Sequence, residues 1–123
     1  MIHLDTSFLI QAMVAGSAAE AKMQTWLAGG EDVAISSIAL SEFLCGPITA
    51  EEAGLIEAIL ASPEPFLATD ASKAAELFNA TGRRSRSLAD CQIAAVALRC
   101  AASVATTNVT DFALFQSHGL TLV

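Results

Sequence analysis

The sequence predicts a single α/β domain, spanning residues 1–123, in which a five-stranded parallel sheet is flanked by about seven helices. Its 123 residues suffice for one domain, and 54% hydrophobic against 15% charged residues supports a packed core. Short apolar runs alternate along the chain with longer segments of helical periodicity. That alternation is typical of an α/β domain.

Five short runs are predicted to be strands. Each is apolar on both faces, as buried parallel strands are, although a run this short can also belong to a buried helix. The surrounding turn and capping signals favour strands. The predicted strands are Ile2 to Leu4, Val33 to Ser36, Phe66 to Ala68, Ser103 to Thr106 and Leu120 to Val123.

The helices between these strands are delimited by capping signals and by glycine or proline. Helical pairs are predicted after the first and second strands. The start signals are Ser17 with Glu20, Thr49 with Glu52, Ser87 with Asp90, and Asp70 as a cap. The stop signals are Gly29-Gly30, Gly46-Pro47, Pro63 with Pro65, and Gly82.

Charge and hydropathy exclude two classes of protein. A formal net charge of −7 argues against binding nucleic acid by bulk electrostatic attraction, so any anionic ligand needs a local cation. The longest apolar run, Ile93 to Leu98, is far shorter than the roughly 20 residues that cross a bilayer. Asp5 also interrupts the apolar segment that a signal peptide needs, so we expect a cytoplasmic protein without membrane contact.

Four carboxylates are predicted to lie at the carboxyl edge of the sheet. Asp5 follows the first strand, Glu42 lies in the helix after the second, and Asp90 and Asp111 begin the helices before and after the fourth. Ligands of parallel α/β sheets bind at this edge. The four residues are therefore candidate site residues.

Helix capping is the alternative explanation for each acid taken alone. Helical wheels weaken it for two of them. Asp90 lies about 200° from Gln92, on the apolar stripe of its helix. Glu42 shares a stripe with Ile38 and Cys45. Both are expected to point inward, whereas Asp70 is interpreted as a cap alone.

Converging carboxylates must be protonated or share a cation, because two such charges at 4 Å repel by about 4 kcal/mol at an effective dielectric near 20. An all-oxygen ligand set favours Mg²⁺ or Mn²⁺, which usually bind a few carboxylates together with a substrate phosphate. The bound cation would also supply the positive charge that an anionic substrate requires.

Four segments, taken in order, make the whole chain resemble the PIN-domain ribonucleases, and most closely the VapC toxins of bacterial toxin–antitoxin pairs. Each motif is weak alone, and their order and spacing are fairly specific. The segments are Asp5-Thr6-Ser7, Ser41 to Gly46, Ser87 to Ala95 and Thr107 to Phe112.

The resemblance implies Mg²⁺- or Mn²⁺-dependent hydrolysis of RNA phosphodiester bonds, which inhibits translation. It makes Asp5, Glu42, Asp90 and Asp111 the metal-binding and catalytic acids, with Asp5 and Asp90 the foremost ligands. It also matches Ser7 and Asn108 to supporting polar positions near the site.

Three arginines between Gly82 and Ser87 form the chain's only cluster of basic residues. A solvated loop is the default interpretation, and a clamp on RNA phosphates beside Asp90 is the alternative. The residues are Arg83, Arg84 and Arg86.

Apolar stripes occur on the second and fourth predicted helices, around Trp26 and Ile56. Core packing is the favoured explanation. The family resemblance offers another, a VapB-like antitoxin that covers the stripes, and it also implies a homodimer.

Two other functions remain open at this stage. A receiver-like regulatory domain has a similar size and an acidic metal pocket, but it pairs acids after its first strand and needs a lysine after its last. Here Asp5 stands alone, and Lys22 and Lys73 are the only lysines. A PIN fold retained as a non-catalytic binding module is the second alternative.

Overall fold

A four-stranded parallel sheet forms the centre of the computed structural model, which describes residues 1–123. The strands are β1 (Ile2–Leu4), β2 (Val33–Ala34), β3 (Ser103–Ala105) and β4 (Thr121–Leu122). Their order across the sheet is β2-β1-β3-β4, and every neighbouring pair is parallel. The α/β class and the parallel sheet are thus confirmed.

Seven helices connect the strands, as predicted. They are α1 (Thr6–Ala12), α2 (Ala18–Ala28), α3 (Ser37–Leu44), α4 (Ala50–Ile59), α5 (Ala68–Ala80), α6 (Leu88–Arg99) and α7 (Val109–Ala113). A short 3-10 helix, Gln116–His118, precedes β4. A helical pair follows β1 as predicted, whereas four helices, α3 to α6, lie between β2 and β3. The capping box of Thr49 and Glu52 is complete. The Ser87 side chain, in contrast, makes no capping hydrogen bond.

The sheet has four strands rather than five, because the predicted strand Phe66 to Ala68 does not form. A single parallel bridge between Ser36 and Glu64 takes its place, and Ala68 already begins α5. Pro63 and Pro65 flank Glu64 and have no N–H to donate, so the pairing cannot extend.

The register of the sheet places two strand ends side by side. Leu4 pairs with Ala105, so Asp5 and Thr106 follow at the same level. The Asp5 N–H donates to the Ala105 carbonyl at 2.9 Å, which holds the two chain segments together beyond the strands. The carboxyl edge between β1 and β3 is therefore well defined.

The hydrophobic core covers both faces of β1, since side chains alternate between the faces and all three residues of the strand are buried. Helix α6 buries six of its residues, and α5 packs along it. Phe43, Phe112 and Phe115 are among the largest buried side chains. None of the helices has the length and apolarity required to span a membrane.

His3 is a core residue whose ring nitrogens both lack hydrogen-bond partners. Burial lowers its pKa, since the charged form loses water and gains no acceptor. The folded state therefore takes up a proton at His3 only at lower pH than the unfolded chain, in which histidine titrates near pH 6.5. Stability contributed by neutral His3 is lost as the pH falls through that range.

We expect His3→Leu to lose less stability than the wild type between pH 7 and pH 5. The difference can reach at most about 1.4 kcal/mol per pH unit, the effect of one proton. Urea unfolding at several pH values measures it. Parallel pH profiles of the two proteins would show that His3 does not titrate on unfolding.

Asp70 caps α5 as predicted, accepting a hydrogen bond from the Leu67 N–H at 2.9 Å. The expectation that it does nothing else is wrong. Arg99 Nε, at the end of α6, donates to both Asp70 oxygens at 2.9 and 3.1 Å. The Asp70 side chain is only 2% exposed, so this is a buried carboxylate held by one cation.

Candidate active site

Asp5 lies at the carboxyl end of β1 and is buried. Its Oδ2 atom accepts hydrogen bonds from the Ser7 hydroxyl at 2.6 Å and the Thr106 hydroxyl at 2.8 Å. The two hydroxyls are themselves 3.2 Å apart. Both bonds reach the same oxygen, so the carboxylate is held in one orientation with Oδ1 left for another ligand.

Asp90 lies in the first turn of α6 and is partly buried, in agreement with the helical wheel. Burial raises its pKa to about 6, with further contributions from the charges of Asp5, Glu42 and Asp111. Arg84 opposes the shift. The charges of Asp5, Glu42 and Asp111 thus act on Asp90, as expected for acids that lie at one edge of the sheet.

Glu42 differs from its sequence-based description, because a large part of the residue is exposed to solvent and only its carboxyl end is partly covered. Its side chain nevertheless turns toward the site, where Oε1 accepts a hydrogen bond from the Thr6 hydroxyl at 3.1 Å. Partial burial, followed by the charge of Asp5, raises its pKa despite that bond.

Asp111 is placed by α7, which is anchored through the edge-to-face contact of Phe112 with Phe115. Its Oδ1 atom lies 3.2 Å from Arg84 Nη1, and both side chains are partly exposed. Asp111 is thus the one acid of the four that forms an ion pair with a basic side chain.

Capping does not account for these acids. Asp5 precedes α1 without a side-chain capping bond, and the caps of α6 and α7 likewise make none with Asp90 or Asp111. Asp70, by contrast, does cap its helix. Asp5, Asp90 and Asp111 therefore lie at helix starts without capping those helices through side-chain hydrogen bonds.

The four acids are neighbours, yet no three of the histidine, cysteine, aspartate and glutamate side chains are close enough together to hold one metal ion as they stand. The donor chemistry nevertheless fits a divalent ion. The acids offer only oxygen, a single arginine opposes their charge, and no hydrogen bond contributes to the Asp90 shift. A cation would relieve the repulsion that raises this pKa.

Of the two supporting polar residues, Ser7 bonds Asp5 and also accepts the Thr107 N–H at 3.1 Å. The exposed Asn108 makes no side-chain capping bond, and its N–H donates to Thr106. Thr106 and Thr6, which orient Asp5 and Glu42, were not identified from the sequence. The parallel register was the available signal for Thr106, since it ends the strand beside β1.

The arginine loop holds its three side chains in different surroundings. Arg83 bonds Asn79 and lies over the Phe78 ring, 5.3 Å from its centre. Arg84 reaches Asp111, and Arg86 is exposed without an ion-pair partner. Arg83 and Arg86 have φ values of 53° and 65°, a left-handed conformation that is strained for side chains other than glycine.

Comparison with known proteins extends these observations. The PIN domain family matches residues 2–116 of the chain. Among curated proteins, none matches the sequence.

Solved structures share the fold at low sequence identity. FitAcB from Neisseria gonorrhoeae superposes with a TM-score of 0.76 at 20% identity, covering 99% of this chain and 96% of that one. VapBC2 from Rickettsia felis, bound to a promoter DNA fragment, gives 0.76 at 22% identity, with coverage of 100% and 98%. VapC20 from Mycobacterium tuberculosis, a sarcin-ricin loop cleaving toxin, gives 0.73 at 22% identity, again with 100% and 98%.

Proposed function

Because the chain belongs to the PIN domain family, we propose that it is a Mg²⁺- or Mn²⁺-dependent endoribonuclease and the cytoplasmic toxin of a toxin–antitoxin pair. The observation that carries the proposal is the buried Asp5 carboxylate at the carboxyl end of β1, which Ser7 and Thr106 hold through one oxygen. Burial and the charges of the other three acids also raise the pKa of Asp90 to about 6, so a bound cation would relieve their repulsion. VapC20, which shares the fold, is a sarcin-ricin loop cleaving toxin.

Asp5 and Asp90 would bind the ion, with Glu42 and Asp111 completing the acidic set. When bound there, such an ion would supply a more acidic bound water and polarisation of the phosphodiester. Ser7 and Thr106 fix Asp5 through Oδ2, and Thr6 holds Glu42 beside it. Asp90 must lose its proton to act as a ligand, so acid below about pH 6 competes with metal binding.

RNA would meet the arginine loop at the start of α6. Arg86 is the exposed cation there, while Arg83 and Arg84 are partly engaged within the protein. With a net charge of −7, this loop and the bound metal are the local positive charge that an RNA phosphate needs. We therefore assign Arg83, Arg84 and Arg86 to RNA binding. Ser7 and Asn108 are assigned as supporting polar groups near the acidic site.

A VapB-like antitoxin would cover apolar surface on α1, α2 and α4. Met23, Ile56 and Leu60 are buried as core residues, but the stripes are not fully used by the core. Exposed apolar side chains remain there: Ile10, Val14, Leu27, Leu55 and Ile59. They border two cavities of about 230 and 180 Å³. Exposed Leu88 and Val109 leave further surface for a homodimer.

The receiver-like alternative is excluded by the family to which the chain belongs. An RNA cleavage assay distinguishes the enzyme from the non-catalytic binding module, because only the enzyme turns over its substrate. We expect the purified protein to cleave defined RNAs with Mg²⁺ or Mn²⁺ and to stop in EDTA, because the carboxylates need the ion to act on a phosphodiester.

Asp5→Asn is expected to reduce cleavage about a hundredfold or more, since it removes a charged ligand from a preorganised position. Glu57→Gln is the matched control, because it removes one exposed carboxylate from α4, remote from the site. Cleavage that survives EDTA, or that is equal in the Asp5 and Glu57 variants, contradicts the proposal. RNA binding without any cleavage identifies the binding module instead.

A further inference from the structure

Arg84 brings a positive charge into the carboxylate site from the loop before α6. Its Nη1 atom lies 3.2 Å from Asp111 Oδ1, and the two side chains are 35% and 47% exposed. An ion pair with that exposure contributes little to stability, because solvent and salt screen it. The contact that holds the guanidinium in place is therefore weak.

The remaining guanidinium donors are poorly satisfied. Nε and Nη2 of Arg84 are buried and have no hydrogen-bond partner. Buried donors without an acceptor lose hydration and gain nothing in return. Arg84 is thus retained mainly by the negative charge around it, which includes Asp90 as well as Asp111.

The backbone beneath Arg84 is fixed, so the side chain is the part able to move. The Arg84 carbonyl accepts hydrogen bonds from the Ser87 hydroxyl at 2.8 Å and the Ser87 N–H at 3.2 Å. The Arg83 N–H donates to the Phe78 carbonyl at 2.9 Å. A departing guanidinium would therefore leave the loop and the start of α6 intact.

We propose that Arg84 is the resident counter-cation of the carboxylate site and that a divalent ion displaces its guanidinium on binding. The inference rests on the proposed function, because it assigns the ion to the same four acids. The two cations neutralise the same charges, so each weakens the binding of the other, and this linkage is reciprocal. Displacement would also free Arg84 to approach the phosphate of the RNA.

The test is the affinity of the full chain for Mn²⁺, measured by calorimetric titration in the absence of RNA. We expect Arg84→Gln to bind Mn²⁺ about tenfold more tightly than the wild type, because the competing cation is gone. Arg86→Gln removes an equal charge two residues away, but that side chain is exposed and has no ion-pair partner. Its affinity is expected to stay within about twofold of the wild type, since solvent and salt screen an exposed charge.

A second measurement needs no variant. Mg²⁺ titrated into ¹⁵N-labelled wild-type protein is expected to shift the Arg84 Nε–Hε resonance with the same midpoint as ion binding. An unmoved resonance, or Arg84→Gln binding Mn²⁺ no more tightly than Arg86→Gln, overturns the counter-cation role and leaves the nuclease proposal standing. Failure of both wild type and Arg84→Gln to bind Mn²⁺ contradicts the proposed function and this inference together.

Discussion

Asp90→Asn is expected to stabilise the metal-free protein while nearly abolishing RNA cleavage. Burial and three neighbouring carboxylates raise the pKa of Asp90 from 3.8 to about 6, so ionising it costs more in the folded state than in the unfolded state. Asparagine has nearly the same shape and carries no charge. At about 1.4 kcal/mol per pKa unit, we expect a gain of about 1–3 kcal/mol at pH 7.

The pH dependence of this gain has a definite sign. Between pH 3.8 and about 6 the folded state binds more protons at Asp90 than the unfolded state. Wild-type stability from this group therefore falls as the pH rises through that window, and it stays reduced above it. The advantage of the asparagine variant should be largest at pH 7 and shrink toward pH 4, which urea unfolding at each pH measures.

Adding a divalent metal ion is expected to make the wild type more stable than Asp90→Asn, the reverse of their order without metal. Mn²⁺ is expected to bind the folded wild-type protein and raise its melting temperature, whereas Asp90→Asn lacks one of the proposed charged ligands and is expected to gain little. Cleavage by the variant is expected to fall about a hundredfold or more. Glu57→Gln again serves as the control. A variant that is less stable than the wild type at pH 7 without metal would refute the electrostatic description of Asp90.

The sequence was sufficient to predict the parallel sheet because the context of its central strands favours strands over buried helix. Ile2 to Leu4 and Ser103 to Ala105 are short and mostly apolar, and each is followed by a polar segment and a helix. The edge segment at Phe66 was misjudged for a local reason. The two prolines limit the pairing to one bridge. The hydrogen bond of Asp70 to the Leu67 N–H also stabilises a helix that begins at Ala68, and apolar composition alone does not reveal either effect.

The acids of the site were predictable from topology, whereas their individual contacts were not. Strand ends of a parallel sheet meet at one edge, so Asp5 and Asp90 could be placed near each other from the order of elements. The exposure of Glu42 and the ion pair of Asp111 with Arg84 depend on side-chain rotamers and on contacts between elements that are remote in sequence. A helical wheel describes one helix and contains no information about such neighbours.

Arg99→Ala is expected to cause the largest loss of stability among the polar substitutions considered. Arg99 is the only cation on the Asp70 carboxylate, which is 2% exposed. Its removal leaves a buried charge without a counter-charge, held only by the Leu67 N–H, at a cost of about 3–5 kcal/mol. For a chain of this length the melting temperature would fall by roughly 10 °C or more. Urea unfolding and thermal melting both measure the effect.

Two further variants show whether the buried charge causes the loss. Asparagine at position 70 can still accept the Leu67 N–H, so Asp70→Asn combined with Arg99→Ala removes the unpaired charge and retains the cap. We expect the double variant to be more stable than Arg99→Ala alone. Arg99 also pairs with Glu64 at 3.0 Å, but that pair is partly exposed, so Glu64→Gln is expected to cost no more than about 1 kcal/mol. If the double variant were as unstable as Arg99→Ala, the loss would come from the contacts of Arg99 with Glu64 and the Pro65 carbonyl, and the buried carboxylate would tolerate its isolation.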